Sequence, residues 1–172
     1  MVLANRVTTL VRKGFSLSDA ISVYLVERGV RPAALVYDEG AEAALREYKH
    51  PNTRKIFVRW ESDSPTVPVI TTASVLAPRV LVKESPWNDL QDHAKIAKLL
   101  GYTNALNEFG ALRCTDTVQS IQYYAEVEPG KRVYIVGWYV SSLSPKHSAF
   151  AFRAQTALGC PVNLVVQWSK YC

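Results

Sequence analysis

Two alternating runs meet at Glu128-Pro129-Gly130-Lys131, and that junction limits the last third of the chain to very few arrangements. From Val118 to Val127, Ile121, Tyr123, Ala125 and Val127 share one face of an extended chain, while Gln122, Tyr124 and Glu126 share the other. Pro-Gly is turn chemistry, so residues 132–140 return as the second strand of a hairpin. The returning run is apolar at both parities, with Val133, Ile135 and Tyr139 against Tyr134, Val136, Trp138 and Val140. That pattern predicts a strand inside a sheet rather than at its edge. After Ser144-Pro145, Phe150, Ala151, Ala154, Ala157 and Leu158 recur at helical spacing over 147–158, and Gly159 stops the run. Residues 162–172 alternate again, with Val162, Leu164, Val166 and Trp168 on one face and Asn163, Gln167 and Ser169 on the other. Strand, helix, strand predicts a right-handed crossover, with the last strand parallel to 132–140 and covered by the helix. An apolar chain end has to dock, because ends fray unless tied to a sheet or a partner. With its side chain in the core, Val166→Asp is expected to cost several kcal/mol.

Earlier in the chain, Ser16 caps a helix with Asp19 three residues on; Leu17, Ala20, Ile21, Tyr24 and Leu25 form its stripe and Gly29 ends it. Ala33–Tyr37 reads as a buried strand, residues 41–48 as a helix, and residues 55–60 as a strand after the break at His50-Pro51-Asn52-Thr53. This order predicts a parallel crossover between the two strands. Pro65, Pro68 and Pro78 in residues 61–78 argue against an uninterrupted central strand and for a loop with an edge strand near 67–72. A strand over 79–83, a helix capped by Ser85 and ended by Gly101, and a short helical turn over 104–109 complete the reading. The fold class is therefore α/β, or mixed α+β: one domain over 1–172, a mixed sheet of about five or six strands with helices on at least one face, and a C-terminal hairpin–helix–strand unit.

A hydrophobic content of 48% with 20% charged residues is ordinary for a globular domain. No apolar tract approaches the roughly 20 residues of a membrane helix, so no membrane partner is expected. Met1–Arg6 lacks the pattern of a secretory leader, which places the protein in the cytoplasm or in an intracellular assembly, a virion included. Cys114, Cys160 and Cys172 cannot all pair within one chain and have no metal-ligand spacing; they are expected to be reduced, small buried hydrophobes.

The sharpest enzymatic candidates are carboxylates following strands: Asp38 and Glu39 after the first, Glu61 and Asp63 after the second. If those strands were parallel neighbours, the four groups would converge at strand carboxyl ends and hold Mg2+ or Mn2+ against a phosphodiester. The plainer reading, which is preferred, makes Asp38-Glu39-Gly40 a solvated helix cap. Net charge is +5, and Arg46, Lys49, Arg54, Lys55 and Arg59 make the densest basic patch, a candidate phosphate-backbone contact. His93, beside Asp89 and Asp92, has no nucleophile near it, and His50 and His147 read as surface residues. No glycine-rich phosphate motif occurs. Tyr124, Tyr134, Trp138 and Trp168 lie in strand-forming segments and read as protein interface in preference to base-stacking groups. With no assignable catalytic set, many strand aromatics and chain ends that need docking, the expected function is a non-enzymatic structural or interaction subunit without cofactor, bound to other protein subunits or to itself. A metal-dependent nuclease or related phosphoryl-transfer enzyme is the alternative, and a nucleic-acid-binding domain the second.

Overall fold

The computed structural model describes residues 3–37, 40–51, 53–62, 69–78, 97–98, 100–106 and 116–170. The elements, in chain order, are α1 (Asn5–Arg12), α2 (Leu17–Glu27), β1 (Ala34–Tyr37), α3 (Glu42–Glu47), β2 (Thr53–Ser62), β3 (Val69–Pro78), β4 (Thr117–Glu128), β5 (Lys131–Val140), α4 (Pro145–Leu158) and β6 (Val162–Lys170). This is a mixed α+β architecture, with every neighbouring strand pair antiparallel.

Among the described residues there are six strands, and they form two three-stranded sheets, ordered β1-β3-β2 and β5-β4-β6, instead of one sheet of five or six. Both predicted parallel crossovers change accordingly. β1 and β2 run in the same direction but β3 lies between them, and β5 and β6 run in the same direction with β4 between them. The strand expected at an edge is thus a central one. β3 pairs along its whole length because its prolines stand at its margins: Pro68 precedes the first residue, and Pro78 is the last, opposite Thr53.

β5, expected inside a sheet, is an outer strand of its sheet. Its double apolar parity has another cause, a β-bulge. Tyr123 pairs with Val136 while Tyr124 pairs with Tyr134, leaving Ile135 as the extra residue, so Ile135 and Val136 are both buried and the parity reverses around them. Beyond the bulge, residues 104–106 run beside the end of β5: Leu106 N–H donates to Tyr139 O, Ser141 N–H donates to Asn104 O, and Ala105 bridges Val140. The helical turn expected from 104 is therefore not formed at 104–106; residues 107–110, the strand over 79–83 and most of the helix after Ser85 lie outside the described residues. Ala97 and Lys98 are helical, with Gly101 following at φ 74°.

α2 forms where its cap and stripe predict. Ser16 Oγ accepts the Asp19 N–H at 3.1 Å, and Ala20, Ile21, Ser22, Val23, Leu25 and Val26 are buried. A helix buried on so many sides must be enclosed, and α2 lies between the sheets, in contact with β1, β3, β5, α1 and α4. One hydrophobic cluster runs from Val7 and Leu10 of α1 through α2 and Val36 to Ile121, Tyr123, Val136, Ala154 and Leu158. α1 carries little signal in the sequence, since eight residues with Val7, Leu10 and Val11 as their apolar content make a weak pattern. It is held by tertiary bonds: Arg6 donates from Nε and Nη2 to both Glu27 carboxylate oxygens, at 2.9 and 2.8 Å, and Ala4 N–H donates to Leu158 O.

α4 begins with a capping box. Ser144 Oγ accepts from Lys146 N–H, and His147 Nδ1 accepts from Ser144 N–H. β6 follows after Gly159, but its apolar face is covered at one end alone. Val162 is 8% exposed and Leu164 half-buried, whereas Val166 is 40% and Trp168 69% exposed. The cost expected for Val166→Asp falls with that exposure. Val162→Asp should destabilise the fold by several kcal/mol, and Val166→Asp by about 1 kcal/mol or less; denaturant midpoints of the two variants check the contrast, and equal losses would contradict it.

Candidate functional site

The proposed carboxylate cluster depends on β1 and β2 being adjacent. They are two strand spacings apart, about 10 Å, with Tyr37, Ala73 and Val58 level across the sheet and Glu61 three residues further along β2. Asp38, Glu39 and Asp63 lie outside the described residues, as do Asp89, Asp92 and His93. Among the described residues, no three His, Cys, Asp or Glu side chains gather closely enough to hold a metal ion.

In the basic patch, Arg46 and Lys49 are exposed, and Arg46 sits 3.5 Å from Glu42 one helical turn away. Lys55 Nζ donates to Leu45 O at 2.7 Å, tying β2 to the end of α3. Arg54 and Arg59 stand on β2 opposite Ala77 and Thr72. Beside the patch, Tyr48 bridges three elements, its hydroxyl 2.9 Å from Glu27 and 3.0 Å from Thr53. The Glu27 hydrogen bond raises the Arg6 pKa, with burial opposing it, which marks a fork that holds α1 on α2.

The four aromatic candidates separate onto two faces of the β5-β4-β6 sheet. Tyr124 and Tyr134 pair across the outer face, their rings edge to face at 5.8 Å, with the Arg132 guanidinium 5.1 Å from the Tyr124 centroid and the Tyr124 hydroxyl donating to Gln122. Tyr134 is 45% exposed. Trp138 and Trp168 belong to the opposite, core-facing side, where Trp138, Ile121 and Val166 stand in one row and Val140, Gln119 and Trp168 in the next. Trp138 is half-buried there and its indole N–H donates to Thr103 O at 3.0 Å. Trp168 stands in solvent.

Trp138 also belongs to a cavity of about 330 Å3 between α4, this sheet, residues 100–103 and residues 30–32. Gly101 lines it at φ 74° and approaches Pro32 so nearly that a Cβ there would clash with Pro32 Cγ. The approach sets Tyr102 flat on Trp138, with centroids 4.6 Å apart and planes 8° apart. Tyr123 and Phe150 meet edge to face at 4.7 Å on another wall. His147, expected at the surface, is buried, and its Nε2 lies 3.0 Å from Thr103 O. With Nδ1 accepting, that contact makes Nε2 the protonated nitrogen and the ring neutral. Arg31, which carries no local signal in the sequence, is 4% exposed at this cavity; Nη1 donates to Ser22 Oγ at 2.9 Å, and Ser22 in turn donates to Ile135 O. Burial lowers the Arg31 pKa against the opposing effect of Tyr102 and Tyr134. Cys160 is a free, buried thiol with its pKa pushed up by burial, as expected of a small hydrophobe.

The chain matches no protein-family model, no curated protein and no solved structure. Among the described residues, no helix is long and apolar enough to cross a membrane.

Tyr123 links the sheet to α4, its hydroxyl donating to His147 O at 3.0 Å, and burial pushes its pKa up. A folded-state pKa above the unfolded value of about 10 gives stability that is complete below that value and is lost as pH rises through the folded one. Tyr123→Phe should therefore cost about 1–2 kcal/mol at neutral pH, and the gap to the parent should shrink in alkaline solution. Urea titrations at the two pH values check this; a gap that widens with pH would contradict it.

Proposed function

We propose that this chain is a non-enzymatic interaction subunit of a larger assembly, a virion or another multi-protein complex, and that it joins its neighbours through β6. The observation carrying this reading is the loss of cover along β6: the face that buries Val162 presents Val166 and Trp168 to solvent at the other end. A tryptophan 69% exposed beside an exposed valine on an ordered strand is the composition of an interface anchor. The outer edge of β6 supports the same reading. Among the described residues no strand pairs with it, and a free edge is a template for strand addition by another chain.

Strand addition is available to a second copy as well as to a different subunit, since an antiparallel β6 pair about a two-fold axis is self-complementary. Light-scattering mass measured from dilute to concentrated protein should show reversible self-association or, in material from the native source, a stoichiometric companion. Trp168→Glu should weaken either association by about tenfold or more while leaving the melting temperature close to the parent's. A monomer at every concentration, recovered without a companion, would exclude the proposal.

A further inference from the structure

The cavity between α4 and the β5-β4-β6 sheet is lined by no described residue of β6. Its buried charge is Arg31, which stays protonated throughout the physiological range. Among the described residues the ion pairs are Arg6–Glu27 and Arg46–Glu42, and Arg31 has no carboxylate. Its partners are neutral, the Ser22 and Tyr102 hydroxyls. A desolvated cation without a counter-charge is costly to the fold, and α2 spends a buried serine on holding it. Lys146 and Arg153 line the same cavity and are exposed, so positive charge runs from the mouth to the interior, and among the described residues no acidic side chain lines the wall. The neutral His147 ring adds nothing to that charge, because both nitrogens are engaged by Ser144 and Thr103.

We propose that this cavity binds a small planar organic anion, its ring against Trp138 and Phe150 and its carboxylate or phosphate on the Arg31 guanidinium. The aromatic walls suit a flat apolar body, and the guanidinium fork suits a two-oxygen anion. A volume of about 330 Å3 stands at the small end of ligand pockets, which selects a single ring system over a dinucleotide or a lipid. The ligand would supply a counter-charge that no described residue offers Arg31.

The test uses the full chain with benzoate, phenyl phosphate, benzamide and inorganic phosphate, read by calorimetric titration and by melting temperature. Benzoate or phenyl phosphate should saturate one site below millimolar concentration and raise the melting temperature; the tighter of the two identifies the anionic group. Benzamide and inorganic phosphate, lacking the charge or the ring, should bind at least about tenfold more weakly. Arg31→Met keeps the bulk and removes the charge, so the unliganded variant should melt at or above the parent's temperature while losing the anion. Arg153→Ala, at the exposed mouth, should fold as the parent does and weaken binding severalfold. The proposal is overturned if neither aromatic anion binds at millimolar concentration, if benzamide binds as tightly as benzoate, or if Arg31→Met or Arg153→Ala retains parental affinity.

Discussion

Helix α2 is enclosed between the two sheets, packed on β1 and β3 of one, on β5 of the other, and on α1 and α4. Its buried side chains are apolar apart from Ser22, and Ser18 and Ser22 donate their hydroxyls to Tyr134 O and Ile135 O on β5. Those two carbonyls belong to a strand paired on one side with β4. An exposed strand edge is an aggregation hazard that proteins cover with a helix, a loop or charge; here the helix covers it and satisfies two of its acceptors. Among the described residues the six strands lie in two sheets, with α2 between them. β5 meets α2 along part of the edge that a continuous sheet would have used for a further strand, and residues 104–106 occupy the end of that edge. The bulge at Ile135 belongs to the same contact, since it turns consecutive residues into the core where the helix packs.

Local structure was legible wherever the signal was itself local. The Ser16 cap, the hairpin turn at Pro129-Gly130 and the apolar stripe of α4 with its stop at Gly159 were all readable, because caps, turns and stripes act within a few residues. The start of α4 lies at Pro145, two residues before the expected 147. Pairing was not legible, because a strand-helix-strand order is satisfied equally by adjacent parallel strands and by strands with a third inserted between them. The insertion of β3 and of β4 is such a case, decided by long-range antiparallel contacts. β5 misled for a different reason: a one-residue bulge imitates the double apolar parity of an inner strand.

The site was legible in residue type and illegible in place. Tyr124, Tyr134, Trp138 and Trp168 stood out as strand aromatics, yet alternation could not distribute them between an outer face and a cavity wall. Arg31 gave no signal, being one arginine before a proline, and its isolation depends on Ser22 nine residues earlier and on Tyr102 far along the chain. His147 resembled a surface residue because a histidine at the third position of a capping box is an uncommon substitute for glutamate or glutamine. The two proposed features occupy one side of one sheet: Trp138 in the cavity and Val166 on β6 flank Ile121 in a single cross-strand row. Cavity and exposed strand end are thus two parts of the face that α4 covers incompletely.

Assembly through β6 requires its outer edge to accept another strand. Alternate amides of an antiparallel edge strand point away from its one neighbour, so residue-resolved hydrogen exchange over 162–170 distinguishes paired from unpaired edges directly. In dilute protein the amides of β6 that point away from β4 should exchange rapidly, and they should become as protected as those facing β4 when the chain is in its assembled form. Outward amides that exchange equally fast in dilute and assembled protein would contradict strand addition at β6.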